Sequence, residues 1–469
     1  MMKEDMELPK GWAVEKLGDI CFTTSGGTPS RKNPDFYNGT IPWIKSGELD
    51  KGLITKAEEY ISEKAIENSS AKVFPKGTLL IALYGATIGK LGFLGIDAAT
   101  NQAICGIFKN EIIDLRYLNY LLFNKRNKLV EQGAGGAQPN ISQTILKDTD
   151  IPLPPLPEQH RIVSKIEELF SSLDKGIESL KTARAQLKVY RQAVLKWAFE
   201  GKLTNVGVKE GALPEGWEWK ITSDIIKTIN NGYTPTREYL SEGSGEIPFL
   251  KVYNLNFDGT LNSNKNPAFI PDAIHKKDLK RSICYPGDVL INIVGPPLGK
   301  VSIVTNKYPE WNINQAIVMF RPNENILSKY LSYFLQNHVT IQWLENTSKA
   351  TAGQWNVKVT TCREIPIPFC NIKEQEKIIQ EIESRLSVCD KIEESISTSL
   401  LQAEALRQSI LKKAFEGKLV PQDPNDEPAA VLLERIRGER EKEGKGKSEG
   451  RTAGRKPLTP KGEPTDARL

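Results

Sequence analysis

Two turns in this chain end in glycine and lysine and invite comparison with a phosphate loop: Gly85-Ala86-Thr87-Ile88-Gly89-Lys90 and Gly295-Pro296-Pro297-Leu298-Gly299-Lys300. A nucleotide-hydrolysing loop needs wider glycine spacing and a Ser or Thr after the lysine to hold magnesium. Here the spacing is one residue short, and Leu91 or Val301 takes the hydroxyl's place. A glycine turn between two strands is the plainer reading, with Lys90 and Lys300 set to face a phosphate backbone.

Other catalytic chemistry is thin. The histidines are His160, His275 and His338, and His160 answers to Glu376 in the internal repeat described below. A solvated surface histidine is the expectation there. No Asn/Asp-Pro-Pro-aromatic tetrapeptide and no Phe-x-Gly-x-Gly loop of an adenine methyltransferase is present; Asn33-Pro34-Asp35-Phe36 is a superficial lookalike. The carboxylates are scattered. Cys21, Cys105, Cys284, Cys362, Cys370 and Cys389 show no CxxC pairing and no histidines at zinc spacing, which favours reduced thiols in a cytoplasmic protein. The chain reads as non-catalytic.

What the sequence does show is duplication. Ala198–Leu203 (AFEGKL) returns letter for letter at Ala414–Leu419, 216 residues later. At the same offset Gln138-Pro139-Asn140-Ile141 meets Gln354-Trp355-Asn356-Val357, Ile151-Pro152 meets Ile367-Pro368, Glu158-Gln159 meets Glu374-Gln375, and Arg191-Gln192 meets Arg407-Gln408. Upstream the offset drifts. Leu8-Pro9-Lys10-Gly11-Trp12 answers Leu213-Pro214-Glu215-Gly216-Trp217 at 205, Gly77–Lys90 answers Gly287–Lys300 at 210, and Asn101-Gln102-Ala103 answers Asn314-Gln315-Ala316 at 213. Each half has a first part that tolerates insertions and a second part locked in length.

At 469 residues with 39% hydrophobic and 26% charged residues, the chain suits several soluble domains. No apolar run approaches a membrane span, and the opening MMKEDMELPKGW lacks a signal peptide's apolar core. Of the net charge of +5, +3 sits in Gly438–Leu469, so basicity alone does not point to nucleic acid.

Apolar runs of strand length at Thr78–Leu83 and Ala103–Phe108, then helical spacing over Leu115–Leu129, predict a mixed α/β globule. The second copy repeats the series with Val289–Val294, Val301–Val304, Ala316–Phe320 and a helix over Ile326–Leu344. Proline-bearing hinges follow at Ile151–Pro157 and Ile365–Pro368, and they predict stiff, extended exits. Proline-free stretches come next, Glu158–Glu200 and Glu374–Glu416. Ile162, Ile166, Leu169, Leu173, Ile177, Leu180, Leu187, Tyr190, Val194 and Ala198 recur at steps of three and four in the first; Ile378, Ile382, Leu386, Cys389, Ile392, Ile396, Leu400, Ala403, Ile410 and Ala414 do so in the second.

That is the seam of a coiled coil, with Gly201 and Gly417 at the C-terminal caps. Two helices that pair along their length must keep matching layers, which explains the locked offset; the blander alternative packs each helix on its own globule. The expected fold is α+β: two mixed α/β globules joined by two long antiparallel coiled-coil helices in a pseudo-two-fold internal repeat, like heads on a rod. A short helix over Pro428–Glu441 and a disordered Lys-rich tail complete the chain.

Two similar heads at a fixed separation suit a linear, roughly two-fold ligand such as duplex DNA. A helix of 43 residues spans ~65 Å, enough for heads about one DNA turn (~34 Å) or more apart. The ordered, duplicated set Leu-Pro-x-Gly-Trp, Gly-x-x-x-Gly-Lys, Asn-Gln-Ala, Gln-x-Asn-[Ile/Val], Ile-Pro-[Leu/Phe], Glu-Gln and Arg-Gln-x-[Val/Ile]-Leu-Lys-x-Ala-Phe-Glu-Gly-Lys-Leu resembles a type I restriction-modification specificity subunit, from Leu8 to about Glu441. The resemblance implies target recognition domains at residues 1–150 and 206–364, hinges with long helices at 151–205 and 365–420, and a short helix with tail at 421–469. It implies a bipartite, asymmetric DNA site, with one half read by each head and the spacer set by the paired helices. It further implies docking of two adenine methyltransferase (M) subunits and, through them, restriction (R) subunits. S-adenosylmethionine, ATP and magnesium would belong to those partners, with no cofactor on this chain and no membrane.

Polar loop residues present in both copies are the candidate DNA contacts: Lys45, Thr87, Lys90, Asn101, Gln102, Gln138 and Asn140, with Lys251, Lys300, Asn314, Gln315, Gln354 and Asn356 in the second copy. Residues shared by heads that read different half-sites should serve scaffold or phosphate contacts, because phosphates carry no sequence information. Base readers should lie where the copies differ, in Ser25–Tyr37, Ser46–Thr55, Tyr233–Gly245 and Tyr253–Lys265, with Asn or Gln for adenine and Arg or Lys for guanine. A stand-alone DNA-binding or architectural protein, a coiled-coil scaffold whose globules bind protein, and an enzyme whose site carries no visible motif are the competing readings.

Overall fold

A computed structural model of the chain describes residues 8–133, 140–348, 350–351 and 354–439. Gln138 and the tail expected to be disordered lie outside the described residues. Compactness divides the chain into two units, Met1–Ile177 with Leu401–Leu469, and Glu178–Leu400.

In the first unit a five-stranded sheet runs in the order Thr23–Ser25, Ile104–Ile107, Leu79–Ala82, Leu91–Leu94, Leu53–Ile54. A four-stranded sheet runs Glu59–Ile61, Ile41–Ile44, Ala98–Thr100, Val73–Phe74. Successive side chains of a strand face opposite ways. Leu79 and Ile81 therefore enter one core with Leu118, Leu121 and Leu122 of the helix Leu115–Gln132, while Leu80 and Ala82 enter another with Ile44, Phe74 and Leu94. A strand buried on both faces needs the continuous apolar run seen in the sequence.

The second unit repeats this plan. Its four-stranded sheet is Ile226–Asn231, Ile317–Pro322, Val289–Asn292, Val301–Ile303, and Val289 and Ile291 face one core while Leu290 faces the other. Its other sheet, Ser241–Glu242, Ala268–Ile270, Ile247–Leu250, Trp311–Ile313, Ile283–Cys284, has five strands. The helix expected over Ile326–Leu344 is broken into Ser328–Gln336 and His338–Asn346. Asn337 is extended between them, and its side chain caps the second helix by accepting from the Val339 N–H.

The proline-bearing exits are extended, as expected, but they are paired strands and not free hinges. Asp150–Leu153 pairs antiparallel with the entry strand Ala13–Lys16, and Pro366–Phe369 with Glu218–Ile221. Two-stranded ladders leave an outer edge on which proline's missing N–H costs nothing. Tyr117 locks the first exit by donating to the Pro152 carbonyl at 2.7 Å, and Tyr330 locks the second through Pro368 at 2.6 Å.

The long helices span Leu156–Phe199 and Ile372–Phe415, each beginning two residues before the expected start. Each divides its burial. Ile162, Val163 and Ile166 from the start of the proximal helix share the first unit's core with Ile410, Leu411, Ala414 and Phe415 from the end of the distal helix. The second unit's core mirrors this with Ile378, Ile379 and Ile382 beside Val194, Leu195, Ala198 and Phe199. Start thus meets end within each unit, so the helices run antiparallel there. Of the expected seam, Tyr190 and Ile392 are exposed. Gly201 and Gly417 have φ of 74° and 68°, the left-handed region that favours glycine at a helix end. Both are also crowded: a Cβ would lie 2.2 Å from Pro214 and from Pro9, respectively.

Residues 429–439 are helical, within the expected short helix. Ala429, Leu432, Leu433 and Ile436 bury into the first unit's core, and Arg437 reaches Glu15 at 3.1 Å.

Candidate nucleic-acid interface

In each unit the repeated polar segments are gathered by backbone hydrogen bonds. The parallel strands ending at Ile44 and Thr100 lie side by side, and the Asn101 N–H donates to the Ile44 carbonyl at 3.0 Å. Lys45 therefore leaves one strand end next to Asn101 and Gln102 at the other. Beyond them, Leu83 donates to Ala103 at 2.7 Å and Ile141 to Leu83 at 2.8 Å, which draws the glycine turn and Asn140 alongside. The second unit makes the same links. Asn314 donates to Leu250 at 3.0 Å, Ile293 to Ala316 at 2.9 Å, and Val357 to Ile293 at 2.9 Å. Lys251, Gln315 and Asn356 are placed accordingly.

The two Gly-Lys turns connect antiparallel strands, Leu79–Ala82 to Leu91–Leu94 and Val289–Asn292 to Val301–Ile303. A phosphate loop joins a strand to a helix, so the strand-turn-strand reading is the correct one. Gly85, Gly89, Gly295 and Gly299 have φ of 82°, 72°, 101° and 93°, which explains why glycine is repeated at these points. Thr87 accepts from the Lys90 N–H through its carbonyl; the second copy has Pro297 there. Arg126 braces the first turn through the Ile88 carbonyl at 3.0 Å.

The lysines differ in setting. The Lys45 ammonium lies 3.1 Å from Glu59 and 3.2 Å from Glu58, and hydrogen bonds to these two carboxylates raise its pKa. Burial opposes ionisation of Glu59, but Lys45 and Arg31 outweigh it and hold its pKa below the usual carboxylate range. Lys251 instead lies 6.0 Å from the Tyr253 ring, and Lys300 lies 5.7 Å from the ring of the exposed Phe257. Gln102, Asn140, Gln315 and Asn356 are exposed. The Oδ1 atoms of Asn101 and Asn314 are buried without a partner in both copies. For Gln354 the backbone alone bears on the site: it pairs with Thr351 in a short hairpin.

One repeat escaped the sequence reading. Ser25–Tyr37, expected to hold differences, contains Gly26-Gly27-Thr28-Pro29-Ser30-Arg31, and Gly232-Tyr233-Thr234-Pro235-Thr236-Arg237 begins one residue before its counterpart Tyr233–Gly245. Thr28 hydrogen-bonds Gln102, and Thr234 hydrogen-bonds Gln315. The signal was available as a constant offset of 206. The repeated Glu-Gln pair, by contrast, is architectural. Gln159 is buried, donates to the Ile112 and Pro154 carbonyls and accepts from the Asp114 N–H; Gln375 does the same with Asn325, Cys370 and Leu327. His160 is an exposed side chain, whereas His275 is buried between Glu310 and Asn312. Among the described residues no group of three or more His, Cys, Asp or Glu could hold a metal, and no helix is long and apolar enough to cross a membrane.

The sequence profile of the type I restriction modification DNA specificity domain matches residues 9–188 and again 214–402. The chain belongs to this family. It is 29% identical over 465 residues to the EcoBI specificity subunit of Escherichia coli, covering 93% of this chain and 94% of that protein. It is 30% identical over 320 residues to the MjaIX specificity subunit of Methanocaldococcus jannaschii, covering 65% and 72%. In fold it resembles a chain from a structural study of type I R-M system assembly and conformational transition, with TM-score 0.68, 22% identity and coverage of 88% and 100%. The HsdS subunit of Thermoanaerobacter tengcongensis follows with TM-score 0.59, 21% identity and coverage of 89% and 100%. As a member of the specificity family, the chain has two DNA recognition domains, and each carries one of the gathered polar sets.

Proposed function

We propose that this chain is the address-giving, non-catalytic subunit of a cytoplasmic type I restriction-modification complex. Its two recognition domains read the two halves of an asymmetric, bipartite duplex site, and its paired long helices set the spacer between them. Two adenine methyltransferase subunits dock on it and bring restriction subunits with them. S-adenosylmethionine, ATP and magnesium act on those partners, which flip the target adenine out of the stack before methylating it. The carrying observation is that both units gather Lys, Asn-Gln, Gly turn and Asn at corresponding strand ends, while the loops around them differ in length and sequence.

The polar set, Lys45, Thr87, Lys90, Asn101, Gln102, Gln138 and Asn140 with Lys251, Lys300, Asn314, Gln315, Gln354 and Asn356, shared but for Thr87, serves scaffold and backbone contacts. The differing loops read bases. Methylome sequencing of a host expressing the methyltransferase partner with and without this chain tests the proposal. A split adenine-methylated motif that disappears without the chain is expected. Methylation of the same motif in its absence would refute the address role.

A further inference from the structure

Thr28 and Thr234 occupy equivalent places in a short repeat, Gly-x-Thr-Pro-x-Arg, set in loops that differ on either side of it. Each donates its hydroxyl hydrogen to the carboxamide oxygen of an exposed glutamine, Gln102 or Gln315. The approach is built in. Gly26 donates to the Ile104 carbonyl at 3.0 Å, and Gly232 to the Ile317 carbonyl at 3.0 Å. A Cβ on Gly26 would lie 2.1 Å from Thr100 Oγ1, and one on Gly232 would lie 2.1 Å from the Ile313 carbonyl oxygen. Only glycine lets the threonine segment come this close. The following Pro29 and Pro235 keep each threonine extended.

A hydrogen bond between exposed neutral side chains contributes little to stability, because water competes for both partners. Its presence in both heads therefore points to the glutamine's other end. A carboxamide has one accepting oxygen and one NH2 carrying two donors. With the oxygen held by threonine, the NH2 is turned outward as a neutral donor. Beside it the copies differ: Gly27 in one head is replaced by the exposed Tyr233 in the other. A constant donor next to a variable residue suits a contact that sets register and does not choose bases.

We propose that Thr28 and Thr234 are positioning residues, and that Gln102 and Gln315 each present their NH2 to one phosphate oxygen of the bound half-site. This rests on the reading of these strand ends as the DNA interface.

The test uses the full chain assembled with its methyltransferase partners and a duplex carrying the complex's own site, with methylphosphonate replacing one phosphate at a time. Thr28→Val should weaken binding about tenfold, equally on cognate and base-substituted duplexes, and Thr28→Ser should restore it. One methylphosphonate in the matching half-site should weaken the unmodified complex about as much and add nothing to Thr28→Val. Thr234→Val should behave likewise in the other half-site. Effects that add at every phosphate, a changed base preference, or unchanged binding by Thr28→Val would each overturn the proposal. If Thr28→Val lowers the melting temperature, Gln102→Glu decides: it keeps the side-chain shape but repels phosphate, and binding equal to the unmodified complex would refute the contact. A complex that shows no preference for any duplex would instead sink the underlying reading of the interface.

Discussion

Arg191 donates to Asp390 across the paired long helices at 2.6 Å. Moving 216 residues forward from the first and 216 back from the second gives Arg407 and Asp174, which also pair. A sequence repeat whose antiparallel helices meet start to end in each unit requires this exchange of roles, and it explains why the distance between the copies is locked in the helices and loose in the loops. Asp390 and Asp174 are largely exposed, so each pair contributes modestly. Arg407 also lies 4.6 Å from the Phe170 ring. Arg191 has a second partner too, Glu393 at 3.1 Å, so Arg191→Ala and Arg407→Ala should each cost about 1 kcal/mol. Denaturant unfolding of the single variants measures both, and a loss near zero for one beside a clear loss for the other would contradict the equivalence of the two pairs.

The same matching of layers yields a prediction about spacing. Two heptads inserted after Leu180 and after Leu400, at matched levels, should add ~21 Å to the helix pair. The hypothesis expects a non-specific spacer longer by about six base pairs, with both half-sites unchanged, because ~3.4 Å of duplex accompanies each base pair. Methylome sequencing reads spacer and half-sites together. An altered half-site with an unchanged spacer would remove the ruler role.

Gln159 and Gln375 are predicted to be stability residues and not DNA contacts, although they belong to a motif repeated as faithfully as the polar set. Each buried carboxamide makes three hydrogen bonds to backbone groups. Gln159→Ala strands one N–H and two carbonyls, at an expected cost of about 2–4 kcal/mol. Thermal melts of the two variants should fall together. A melt unchanged by Gln159→Ala, with DNA affinity lost, would reverse the assignment.

These residues also mark what can be read from sequence. Helical spacing, Gly201 and Gly417 were legible because a long apolar seam and a left-handed cap are local demands. The strand character of Ile151–Leu153 was hidden because proline argues against a ladder unless the partner strand is known. The break at Asn337 was masked by apolar residues continuing on both sides. Repetition identified Gln102 and Gln159 alike, but only packing separates the exposed amide from the buried one. Thr28 was missed because the segment around it differs between copies, although Gly26, Thr28, Pro29 and Arg31 each return at a constant offset.

Alkaline pH should loosen both units for a common reason. Burial pushes the thiols of Cys21 and Cys105 up to about 11 and those of Cys362 and Cys370 up to about 12. Below the ordinary thiol value of about 8.5, folded and unfolded chains are both protonated at these sites, and their stabilising contribution is fully present. As pH rises past that value the unfolded chain releases protons while the folded chain retains them, so stability falls until the folded values are passed. The melting temperature should be flat from about pH 6 to 8 and decline from about pH 9 to 11. Lysine and tyrosine titrate in the same range, so the decisive comparison is Cys362→Ala: its melting temperature, lower at neutral pH from the lost packing, should decline less steeply than that of the unmodified chain. Parallel declines would show that the buried thiol contributes nothing to the alkaline transition.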